Sequence, residues 1–158
     1  MREIALILLA IGIGFFCGIV FLYKKNFLKE KQQKKEINKY CRINSLLDYW
    51  MTCIERGNRI DVFIEEMGYR EVAIYGMAML GRHLEKQLKN SQINVKYIID
   101  KRKNDIYSEQ DIYSGEEELP VVDAIIVTAI YDFNDIKDDL SKHIDYPIIS
   151  LEEIVYKM

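Results

Sequence analysis

With two histidines and three cysteines, none of them in a C-x-x-C pair, this chain is short of the donors from which zinc sites and disulfide frameworks are built. No metal is therefore expected. The odd count and wide spacing of Cys17, Cys41 and Cys53 fit a reducing compartment. Proline is as scarce, at two residues in 158, and there is no low-complexity tract or internal repeat, which excludes Pro-rich linkers and solenoids. Neither G-x-S-x-G nor a Walker pattern occurs, so a hydrolase elbow and a P-loop are also missing. Positive charge is in deficit over most of the chain: residues 42–158 carry 14 Lys or Arg against 22 Asp or Glu. Such a body offers nucleic acid no electrostatic footprint, and none is expected as a partner.

The front end reverses that balance, with eight Lys or Arg against three acids in residues 1–41. Residues 4–23 contain no charge at all, a stretch of about 30 Å as a helix, which matches the hydrocarbon thickness of a bilayer. No A-x-A cleavage pattern comes after it. The next residues instead bring Lys24, Lys25, Lys29, Lys31, Lys34 and Lys35, a cluster that by the positive-inside rule stays in the cytoplasm. The expectation is a single-pass anchor in the cell membrane, residues 1–23, with the N-terminus outside and the body cytoplasmic. A basic juxtamembrane linker would occupy residues 24–41. Gly14 and Gly18 have the G-x-x-x-G spacing that lets two membrane helices approach, which makes a homodimer conceivable.

Residues 42–68 read as two docking helices. Leu46, Leu47, Trp50, Met51 and Ile54 fall at helical spacing before Gly57, and Ile60, Phe63, Ile64 and Met67 do so before Gly68. From residue 69 to 158 strands alternate with helices, the pattern of a Rossmann-like α/β domain with a doubly wound parallel sheet of about five strands. Its centre is residues 71–100. Val72, Ala73, Ile74 and Tyr75 make a buried parallel strand, Gly76 breaks it, and Leu80, Leu84 and Leu88 stripe the following helix. A second strand over residues 95–99 ends at Asp100, 24 residues past Gly76. In dinucleotide-binding folds an acid near this spacing accepts from ribose hydroxyls, while the Gly turn and helix N-terminus receive phosphate.

The turn Gly76, Met77, Ala78, Met79 with Gly81 beyond it departs from G-x-G-x-x-G at Ala78, where the fingerprint has the glycine that lets backbone approach a pyrophosphate. Lys101 and Arg102 come directly after Asp100; an arginine there can take a 2′-phosphate, so NAD-like and NADP-like ligands both stay open. Further on, Pro120 is expected to open a strand over residues 121–128, with Thr128 and Tyr131 in the loop flanking the ligand. Asp132 reads as the cap of a helix bearing Ile136 and Leu140, and Ser150 opens a capping box for a last helix.

The segments EVAIYGMAMLGRHLEKQL, VKYIIDK, VDAIIVTAIYDF and PIISLEEIVY together resemble the small Rossmann-like domains of bacterial surface-polysaccharide loci, found alone or fused to glycosyltransferases. That resemblance implies a module for a dinucleotide such as NAD(P), or for a nucleotide-sugar. It also implies a membrane-associated glycosyltransferase or polysaccharide enzyme as partner. No catalytic residue is legible. Three functions stay open: a membrane-tethered nucleotide-binding module, an oxidoreductase or sugar-nucleotide-modifying enzyme completed by a partner, and a non-binding scaffold.

Overall fold

The computed structural model describes residues 2–105 and 107–158, with side chains from Gly18 onward except those of Ile19 and Asn104. Residues 1–42 and 43–158 are separate compact units. Helix α1, Arg2–Glu55, carries the basic stretch without a break, where an anchor, a linker and a helix beginning near Ser45 are expected as three pieces. The reason is compositional: residues 24–56 contain neither Gly nor Pro and are rich in Lys, Glu, Gln and Leu, all good helix formers. Among the described residues no helix is long and apolar enough to cross a membrane. Most of the apolar stretch at residues 4–23, Gly14 included, lies outside the described side chains.

In residues 43–158, α1 and α2 (Ile60–Glu66) end in the same way. After α1, Gly57 takes φ +87°, Gly57 N donates to Ile54 O and Asn58 N to Cys53 O. After α2, Gly68 takes φ +87°, Gly68 N donates to Glu65 O and Tyr69 N to Ile64 O. Both are Schellman closures that need a residue at positive φ, which glycine supplies without a Cβ penalty.

Five strands form one all-parallel sheet: β1 (Glu71–Tyr75), β2 (Asn94–Ile99), β3 (Asp111–Tyr113), β4 (Ala124–Val127) and β5 (Ile148–Ser150), in the order β3-β2-β1-β4-β5. Strand order reverses between β1 and β4, the switch point at which such sheets bind ligands. Helix α3 (Met79–Leu88) links β1 to β2, α4 (Phe133–Leu140) links β4 to β5, and α5 (Leu151–Lys157) closes the chain. Between β2 and β3 the described residues hold a 3-10 turn, Lys103–Asp105, and no α-helix.

Side-chain alternation sends Val72 and Ile74 of β1 to one face, where Leu46 and Trp50 of α1, Ile60 and Ile64 of α2, Leu84 of α3 and Ile154 of α5 cover them. Ala73 and Tyr75 face the other side, with Tyr97, Val127, and Ile136 and Leu140 of α4. α3 and α4 thus lie on opposite faces, as right-handed crossovers on the two sides of the switch point require. Both helices that precede β1 contribute to that first face.

Two local expectations fail for identifiable reasons. β4 has four residues rather than the eight of 121–128, and Pro120 does not open it. Asp123 N still donates to Glu71 O at 2.7 Å, and its carboxylate accepts from Arg70 N and Glu71 N, both at 2.8 Å, so this residue caps the entrance of β1. Val121 is left 73% exposed. Asp132 precedes α4 without a side-chain capping bond, since a 3-10 turn over Ile130–Asp132 leads into the helix. Ser150 does cap α5, accepting from Glu152 N at 3.2 Å, but Glu153 binds Lys157 instead of reaching back, so the capping box is half formed.

Candidate functional site

At the carboxyl ends of β1, β2 and β4 lies an open crevice of about 680 Å³. It is within the 300–1,000 Å³ range usual for small-molecule sites. Of the residues picked from sequence, Gly76, Ala78, Asp100, Lys101, Arg102 and Thr128 line it together. Met77, Met79, Gly81 and Tyr131 do not.

The turn is shaped by its glycines. Gly76 takes φ +93°, and a Cβ there would lie 3.1 Å from Thr128 Oγ1. A Cβ at Gly81 would stand 2.0 Å from the Gly76 carbonyl oxygen, closer than any side chain could be accommodated. Only a glycine lets α3 start this near the end of β1. Gly81 is therefore a packing residue, the role the third fingerprint glycine has in helix–strand contact. Met77 turns its side chain into the core, where it is 3% exposed, and contributes its backbone to the turn. Ala78, at the N-cap of α3 with extended backbone, is exposed and faces the crevice with its methyl. The amides of the first turn of α3 have no intrahelical acceptor, as at any helix start.

Asp100 is the best-connected residue of the site. At 6% exposure its Oδ2 accepts from Met77 N and its Oδ1 from Arg102 N, each at 2.9 Å, with Arg102 Nε 3.5 Å from Oδ1. Burial works to raise its pKa, but the Met77 and Arg102 amides and the Arg102 guanidinium outweigh it and hold the carboxyl below its ordinary value. The carboxylate is thus ionised and already serves the turn that a phosphate would meet. Oδ2, which accepts from Met77 N, retains a second lone pair for a ligand hydroxyl.

On the opposite wall, Thr128 Oγ1 lies 2.6 Å from Gly76 O and 3.1 Å from Tyr75 O, tying the ends of β1 and β4 across the switch point. This hydroxyl is spent on backbone and is no nucleophile. Sequence reading missed the rest of this wall: Tyr75, and on or beside α4 Asp135, Asp138, Asp139 and Lys142. A signal existed, since residues 132, 135, 139 and 142 have helical spacing along one stripe. Burial, then Asp100 and Asp139, raise the Tyr75 phenol, which stays neutral. Asp139 is held low by the Lys142 ammonium 3.0 Å away.

Taken together the crevice offers backbone donors, one ionised acceptor and a predominantly acidic far wall. Among its lining residues there is no cysteine or histidine to act as nucleophile or general base. Among the described residues no group of His, Cys, Asp and Glu is arranged to hold a metal ion. Set against known proteins, the chain matches no family model, no curated protein and no solved structure, so the site is read from its own geometry.

Proposed function

We propose that this chain is a membrane-tethered module that binds a nucleotide, either a dinucleotide of the NAD(P) type or a nucleotide-sugar, and serves a bacterial surface-polysaccharide enzyme at the membrane. One observation carries the binding part: a β1–α3 turn with Gly76 at positive φ and Gly81 pressed on the Gly76 carbonyl, standing at the switch point of a β3-β2-β1-β4-β5 parallel sheet. The uncharged stretch at residues 4–23 and the lysines after it support the tether, with the body in the cytoplasm. The polysaccharide setting rests on the family resemblance alone.

The test is thermal unfolding of the detergent-solubilised full chain with NAD, NADP and nucleotide-sugars. A ligand at about 100 times its Kd adds roughly 2.7 kcal/mol, a rise on the order of 10 °C for a domain of this size. Ala78→Gly removes the methyl at the N-cap of α3 and should tighten any pyrophosphate ligand. A second reading, the non-binding scaffold, is favoured by the engagement of both Asp100 oxygens within the protein. It takes over if no nucleotide shifts either the native chain or Ala78→Gly.

A further inference from the structure

Residues 20–28 leave large apolar side chains in the open beside a run of lysines. Phe21, Leu22, Tyr23, Phe27 and Leu28 are each more than half exposed. Lys24, Lys25, Lys29, Lys31 and Lys34 are exposed among and after them, and Glu30 is the one acid in residues 20–35. With 3.6 residues per turn these lysines are spread around α1 instead of gathering on one side. A helix lying flat on a bilayer needs its basic and apolar residues on opposite faces. A helix passing through the headgroup layer needs a ring of both, and that is what this segment has.

We propose that residues 20–35 are the segment by which the anchor passes out through the headgroup layer and that they gather lipids with net negative headgroups. The inference rests on the membrane tether proposed for this chain and names the lipid chemistry that the tether selects. Tyr23, with Phe21 and Phe27 close by in sequence, stands where the apolar stretch ends, the level at which aromatic rings settle in membrane helices. From Lys24 to Lys29 the helix rises only about 7.5 Å, less than the Debye length of about 10 Å at 0.1 M salt, so Lys24, Lys25 and Lys29 lie within the surface potential. Each contributes about a five-fold factor in attraction to an anionic surface. No other occupant needs both features: a second protein would have to match a ring of like charge.

The experiment uses the full chain in nanodiscs. Trp50→Phe removes the only native indole, and Phe27→Trp introduces a reporter in the segment. If Trp50→Phe folds poorly, Trp50 is kept and its emission subtracted, since it is 2% exposed and shielded from lipid. Quenching is compared between brominated phosphatidylglycerol and brominated phosphatidylcholine at equal mole fraction. The expected result is several-fold stronger quenching by the anionic lipid, an excess abolished when Lys24, Lys25, Lys29 and Lys31 are all changed to Gln. Equal quenching by the two lipids overturns the selection and leaves the tether standing. Absence of quenching by either lipid removes the tether, and the inference with it.

Discussion

Trp50 is enclosed between α1, α2 and the sheet, yet its indole Nε1 has no hydrogen-bond partner. A buried donor left unmet costs about 1–3 kcal/mol, so the ring stabilises by its area while its nitrogen works against it. Trp50→Phe should therefore change stability by no more than about 1 kcal/mol, whereas Trp50→Ala should lose about 3–5 kcal/mol. Urea unfolding of both variants separates the terms. Asp100 presents the reverse case, a charge whose removal strands others. Asp100→Ala leaves the buried Met77 amide unmet and should cost about 1–3 kcal/mol with no ligand present. A variant that binds nothing but is as stable as the native chain would show the carboxylate to be a ligand group and no part of the turn.

At the scale of elements, the β1–α3 junction depends on Gly81 more than on any interaction. Gly81→Ala would drive a methyl to 2.0 Å from the Gly76 carbonyl, backbone against backbone, where no rotamer offers relief. The expected loss is about 3 kcal/mol or more, read as a fall in melting temperature, while Gly18→Ala, with nothing within 4 Å, should be silent. Buried strands and striped helices were readable because each carries its own periodicity: Val72 to Tyr75, Ile98 to Ile99, and Leu80, Leu84 and Leu88 identify themselves. The ends of elements were read less well. Val121 and Val122 look like strand, but the Asp123 carboxylate claims two amides from the start of β1, a pairing across more than fifty residues that local pattern cannot reveal. The near wall of the site was legible in the Gly spacing and Asp100. Its far wall was not, because α4 turns charged residues toward the crevice and they read as an ordinary solvated face.

The whole molecule should respond to acid through carboxylates that the fold favours in ionised form. Asp61 is held low by Arg59, Asp123 by the Glu71 and Arg70 amides, and Glu117 down to about 2 by Lys103 and Ser114. Asp100 shifts the same way. Since their folded values lie below the unfolded ones, the unfolded chain takes up protons first on acidification. Stability should be level from neutral pH to about pH 5 and fall below about pH 4, as a pH series of melting curves would record. On the alkaline side Tyr97, raised by burial and by its 3.1 Å contact with the Tyr146 hydroxyl, favours the fold while neutral. That contribution should be lost as the pH climbs past about 10. The Gly76 turn has a consequence in time as well as in energy. Gly76 N donates to Ile99 O, Met77 N to Asp100, and Thr128 Oγ1 to Gly76 O, so the turn is stapled to β2 and β4 before anything arrives. An arriving molecule has no loop to wait for: association should be a single phase with a rate linear in concentration, and the Met77 amide should exchange with deuterium only as fast as the whole body unfolds.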